Sequence, residues 1–189
     1  MSDIKKLLAD IQRAADPVRG DRGMLAALRR GLSEATEHYA WPYLAPCCDL
    51  ADARERIVWL TIAGAAALLA PDGLIRSYRG VGNLGATMRR LAIGTDNLEA
   101  EKKLVSFENR FRRLLTCRTR EELCRHLPSV IRAAAAKEVP VDLELLFWDI
   151  LKWESTEEPT VRVQWAKVYW MAQQAHDETP SEEETACAS

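Results

Sequence analysis

Apolar residues recur three and four positions apart along almost the whole chain, and that spacing commits it to helices. Ile4, Leu7, Leu8 and Ile11 set the pattern, and Leu25, Leu28 and Leu32 repeat it beyond a turn between Gly20 and Gly23. Residues 52–70 read as a long helix stopped by Pro71-Asp72-Gly73. Leu84, Met88 and Leu91 mark a shorter helix, and Leu104, Phe107, Phe111, Leu114 and Leu115 a long one. Thr119 with Glu122 forms a capping box that starts another helix, which Pro128 is expected to kink or restart. A further helix follows Pro140 and spans residues 141–153; the last runs from near Pro159 to about Ala175. No pair of alternating segments is joined by a hairpin turn, and Val161-Arg162-Val163 is too short for a strand. The expected fold is all-α, a bundle of about eight or nine helices with no internal repeat. Two packed halves, residues 1–95 and 96–176, are expected to meet near 92–98, followed by an acidic tail over 177–189.

The longest apolar run, residues 57–70, has 14 residues and contains Thr61 and Gly64. A membrane span needs about 20 residues, so this run reads as a buried helix. The first 15 residues mix charged and apolar side chains and do not resemble a secretion signal. The five cysteines (Cys47, Cys48, Cys117, Cys124 and Cys187) are odd in number and form no C-x-x-C pair, which fits packed free thiols in a reducing cytoplasm. With 189 residues the chain buries about 70% of its unfolded surface and needs no metal or disulfide staple.

Catalytic motifs fail on context. Gly80-Val81-Gly82-Asn83-Leu84-Gly85 spells G-x-G-x-x-G, with Glu99 and Glu101 about 20 residues on. A dinucleotide site needs a buried strand before that loop, and the preceding residues 74–79 are half polar. A flexible loop opening a helix that needs close backbone approach fits better, although glycine amides at a helix start can also hold a phosphate. His176-Asp177 lacks the further ligands of a metal-dependent hydrolase, since only His38 and His126 remain. Cys124 and His126 lie close but have no partner pair at zinc-finger spacing. No cofactor, metal or enzyme activity is therefore expected. The tryptophans, among them Trp148, Trp153, Trp165 and Trp170, sit on apolar helix faces and read as core.

Charge is where the sequence points to a partner. The formal net charge is −2, which by itself argues against nucleic acid. Residues 177–189, however, hold five acids and no base, with too little apolar surface to order. The remaining 23 acids and 26 bases make the body +3. Residues 76–125 alone carry 12 bases, Arg76 and Arg79 among them, against six acids. On a helical wheel Lys103 and Arg110 share a flank, with Lys102, Ser106 and Arg113 continuing it, opposite Phe107 and Phe111. Arg22 and Arg29 share a flank of their own helix, with Arg30 beside them, and Arg89 and Arg90 point away from Met88. Of the 26 bases, 19 are arginine, whose planar fork grips phosphate bidentately. The pattern fits phosphate-backbone contact without base readout; an Arg-rich surface of ion pairs, or a helical protein–protein scaffold with acidic partners, fits it too.

These residues also carry a family resemblance. The run Arg19-Gly20-Asp21-Arg22-Gly23-Met24-Leu25-Ala26-Ala27-Leu28-Arg29-Arg30-Gly31, followed by Trp41-Pro42, resembles the opening signature of the CasB family, the small subunit of the type I-E CRISPR interference complex Cascade. Asn83-Leu84-Gly85 with Leu91, Arg110-Phe111-Arg112-Arg113-Leu114-Leu115, and Glu121-Glu122-Leu123 with His126-Leu127 are similar to its central blocks. Val139-Pro140-Val141-Asp142, Leu145-Leu146, Asp149 and Trp153, then Trp165-Ala166 and Tyr169, are similar to the later ones. The resemblance implies an all-helical, non-catalytic subunit in antiviral defence. Two copies would lie head to tail, touching the Cascade backbone and large subunits, with crRNA and target DNA held without sequence specificity and the R-loop stabilised. It carries the contact role best onto Arg29, Arg30, Arg110 and Arg113, with Arg54, Arg89, Arg90, Arg118 and Arg120 near the motifs; Arg22 and Lys103 join them from the wheel. The family's basic cluster before the final Trp-Ala is reduced here to Val161-Arg162-Val163-Gln164, which leaves Arg162 outside the contacts carried over. A small subunit of another CRISPR effector class would have the same chemistry in a different assembly.

Overall fold

The computed structural model describes residues 3–72, 81–93 and 100–177, with side chains of the last stretch described from 106 to 170. Nine α-helices occur among these residues: α1 (Asp3–Ala14), α2 (Arg22–Arg30), α3 (Trp41–Leu44), α4 (Ala53–Leu69), α5 (Leu84–Ile93), α6 (Ala100–Thr116), α7 (Arg120–Ala136), α8 (Leu143–Leu151) and α9 (Val161–Asp177). Two 3₁₀ turns, Glu34–Tyr39 and Ala70–Asp72, complete the order, and no strand occurs among the described residues. The all-α expectation holds. Residues 94–99, Arg76, Arg79, Cys187 and the tail from 178 lie outside the described residues.

Local sequence explains most helix starts. Asp21, Asp52, Thr119 and Asp142 are N-caps whose side-chain oxygens accept backbone N–H groups of the first turn, each contributing about 1 kcal/mol. The capping box differs in one arm: Glu122 Oε2 accepts the amide of Arg118, one residue before the cap. α7 runs through Pro128 without restarting, correcting one of the two outcomes expected there. The 3₁₀ turn Glu34–Tyr39 and α3 lack a repeating apolar face and were not foreseen.

α4 is the axis of the core. Val58 to Ala67 and Leu69 are all buried, because α1 and α2 cover one side and α7 and α8 the other. One cluster of buried residues runs from Ile4 through Phe111 and Trp153 to Tyr169. α5 packs between α6 and α9. Trp153 and Trp165 are fully buried with ring centroids 5.0 Å apart, as core. Trp148 corrects the reading of the tryptophans, since its ring stands 41% exposed on the outer face of α8.

Asp149 is the buried ionisable group of this core, 7% exposed, accepting Trp165 Nε1 at 2.6 Å. Burial pushes its carboxyl up to about 6, against the Trp165 hydrogen bond and Lys152, with Asp142 adding to the rise. A raised carboxyl pKa means the folded state holds its proton longer than the unfolded chain. Stability therefore falls as pH rises from about 4 to about 6, by about 2–3 kcal/mol from this group. Asp149→Asn, which retains an acceptor for Trp165, is expected to be more stable than wild type by about 2 kcal/mol at pH 7, the gap closing below pH 4. Urea midpoints across that range check it; a gap independent of pH would refute the assignment.

Candidate nucleic-acid interface

α6 sorts its arginines by face. Phe107, Phe111 and Leu114 point into the core, which turns Arg110 and Arg113 outward three residues apart, on one flank. Arg110 lies over the Phe107 ring at 5.3 Å, and neither Arg110 nor Arg113 makes an ion pair among the described residues. Arg112, on the other flank, is neutralised by Glu108 Oε1 at 2.7 Å and stacks over Trp170. The Lys103 side chain lies outside the described residues.

Arg118 sits in the link from α6 to α7, exposed and likewise without an ion pair among the described residues. The link is rigidly held. The Cys117 carbonyl accepts Trp153 Nε1 at 3.0 Å and Arg162 Nη2 at 2.8 Å, and the Arg118 carbonyl accepts the same Arg162 nitrogen at 3.3 Å. Arg162 lies over the Trp153 ring at 4.8 Å. Its guanidinium thus binds the protein's own backbone, which gives this residue a structural task.

The other candidates have partners. Arg54 reaches Glu121 at 3.0 Å and Glu154 at 2.7 Å; Arg120 approaches the same Glu154 at 3.6 Å and donates its amide to it. The Glu121 hydrogen bond, then Glu154, holds the Arg54 guanidinium above its ordinary pKa. This four-residue cluster joins the starts of α4 and α7 to the end of α8 and sums to zero charge, so a phosphate there must displace carboxylates. Arg29 Nε donates to the Ala67 carbonyl at 2.9 Å, near the C-terminus of α4, where a cation offsets the helix dipole. Arg30 lies over the Tyr39 ring at 4.7 Å. Arg89 donates to the Tyr169 carbonyl at 3.2 Å and Arg90 to that of Val81. Arg22 is exposed in the first turn of α2 with no ion pair among the described residues. Sequence reasoning missed Glu121 and Glu154 as neutralisers because they lie 67 and 100 residues from Arg54.

The glycine motif serves packing. Gly82 has φ +81°, Asn83 Oδ1 accepts the Ala86 amide at 3.3 Å as a helix cap, and a Cβ on Gly85 would lie 2.2 Å from the Trp165 carbonyl oxygen. Cys47, Cys48, Cys117 and Cys124 are free thiols. Burial pushes Cys48 up to about 11 and Cys124 up to about 12, which leaves both unreactive. Among the described residues no helix is long and apolar enough to cross a membrane.

With the geometry in hand, comparison with known proteins is informative. The family model for CRISPR-associated protein Cse2 matches residues 24–170. A crystal structure of a CRISPR-associated Cse2-family protein from Thermus thermophilus superposes with a TM-score of 0.64 at 25% identity, covering 90% of this chain and 99% of that one. No curated protein matches the chain.

Proposed function

Because the chain belongs to the CRISPR-associated Cse2 family, the CasB small subunit of type I-E Cascade, we propose that it is the non-catalytic small subunit of such a complex and grips crRNA and target DNA by their phosphates. The observation that supports this most is the exposed pair Arg110 and Arg113 on α6, with Arg118 beyond them, none in an ion pair among the described residues. Arginines a helical turn apart match successive phosphates of a strand, and contacts of this kind position a nucleic acid without reading its bases. Guide pairing would supply sequence choice, while the basic face holds backbones and stabilises the opened R-loop. Arg22 extends the same chemistry on α2. Arg29 and Arg30 each keep guanidinium donors beyond the contacts described. Arg89 and Arg90, tied to backbone carbonyls, and Arg54 and Arg120, tied to carboxylates, are secondary contacts in this reading, with Lys103 continuing the α6 stripe. The partners are then crRNA, target DNA, the Cascade backbone and large subunits and a second copy, in the cytoplasm.

Co-purification tests the assembly. The tagged chain, expressed with the other Cascade subunits and a guide, is expected to bring down both the RNA and the larger subunits. The free protein is expected to bind single-stranded DNA weakly, with affinity falling steeply as salt rises. Recovery of acidic protein partners in place of RNA, with no preference for DNA over a plain polyanion, would sink the reading.

A further inference from the structure

The α6–α7 junction gathers a second set of groups that the basic face does not use. Cys117 ends the turn after α6, and Glu122 and His126 lie four residues apart on one face of α7. Their ligand atoms, the Cys117 thiol, a Glu122 carboxylate oxygen and an imidazole nitrogen of His126, all lie within 4.8 Å of one another. Cys117 is buried, the other two half-buried.

We propose that Cys117, Glu122 and His126 bind a divalent transition-metal ion of the zinc class, with a fourth coordination position open to solvent. Sulfur, imidazole nitrogen and carboxylate oxygen are the donors zinc takes, at bond lengths of about 2.0–2.3 Å. Ligands around such an ion stand about 3.5 Å apart, so the three groups need close by no more than about 1 Å. Two of them are already positioned. The Cys117 carbonyl is fixed by Trp153 and Arg162, and one Glu122 oxygen accepts the Arg118 amide, leaving the other for an ion. The His126 ring makes no hydrogen bond among the described residues and can turn into place. Charge balances as well. A thiolate and a carboxylate cancel a divalent ion, which matters beside Arg113, Arg118 and Arg162 and near the positive end of α7. Burial first, then Glu122, holds the Cys117 thiol above its ordinary pKa, with Arg162 opposing; ion binding releases that proton. The site stands whether or not the arginines bind nucleic acid.

Full-length protein without a histidine tag is titrated with Zn²⁺ against a chromophoric chelator, and with Co²⁺ as a spectroscopic probe. One equivalent is expected to bind, with a thiolate-to-cobalt charge-transfer band. His126→Gln and Cys117→Ser should each weaken Zn²⁺ binding by at least about 100-fold, more than loss of an outer-shell partner. Cys117→Ser should also abolish the band, whereas Cys48→Ser and the Arg110→Glu/Arg113→Glu double variant should bind as wild type. No binding by wild type, binding unchanged in His126→Gln, or loss in Cys48→Ser would each overturn the site. His126→Gln alters a half-buried helix position, so the test survives if Cys117→Ser fails to fold.

Discussion

Reversing Arg110 and Arg113 together to glutamate is expected to lower affinity for a single-stranded oligonucleotide about 100-fold at low salt, with no change in thermal midpoint. Each arginine offers charge-assisted hydrogen bonds worth about 1.5–3 kcal/mol, and reversal adds repulsion to their loss. Neither residue is bound into an ion pair among the described residues, and both face away from Phe111 and Leu114, so folding has little stake in them. The slope of log affinity against log salt should flatten by about 1.4, two contacts at about 0.7 each for single strands. Arg112→Glu on the opposite flank is the matched control and should cost far less, because Glu108 already neutralises that guanidinium. Fluorescence anisotropy across a salt series measures both quantities. An affinity within twofold of wild type would reduce the α6 stripe to solvated surface.

Gly85→Ala is expected to destabilise the fold by about 3 kcal/mol, lowering the thermal midpoint by roughly 6–12 °C. In an exposed helix the change would be favourable, since alanine is the better helix former. Here the added methyl lies 2.2 Å from the Trp165 carbonyl oxygen and 2.9 Å from its carbon, in the backbone of α9. A helix backbone cannot give way as a side-chain tip can, so α5 and α9 must part. Separation would also loosen Arg162, whose guanidinium reaches from α9 to the Cys117 carbonyl. Gly82→Ala, at φ +81°, meets a backbone penalty of only about 1–2 kcal/mol. Calorimetry of the two variants separates close approach from conformational strain; equal losses would show that the α5–α9 contact yields.

The helices were legible because their causes are local. The apolar spacing of α1 and α2, the Asp52 cap, the Pro71 stop and the Thr119–Glu122 box each act within a few residues, and each appears where the sequence placed it. Gly85 could be read as a close-approach glycine, but its contact, the Trp165 backbone, lies 80 residues away and had to be seen. The functional arginines were less legible for the same reason. A helical wheel separates buried from exposed, which suffices for Arg110 and Arg113. It says nothing of Arg54, which meets Glu154 across 100 residues, or of Arg162, which turns back to cap a carbonyl 45 residues earlier. The Cys117, Glu122 and His126 cluster did leave a local sign, a Glu and His four apart with a Cys five residues before. Cys124 stands closer to His126 in sequence and masks that sign, yet its thiol is packed in the core.

The burial of α4 on every side has a consequence in time. During synthesis this helix emerges with α1 and α2 already made, but α7 and α8 begin and end 51 and 82 residues beyond Leu69. At about 5–20 residues per second, that leaves one flank of Ile62, Ala66 and their neighbours without its native cover for on the order of 3–15 s. The nascent chain must carry an apolar rod through that interval. Ribosome-bound intermediates ending between residues 70 and 120 are therefore where this protein most needs a chaperone, and where slow translation would do it most harm.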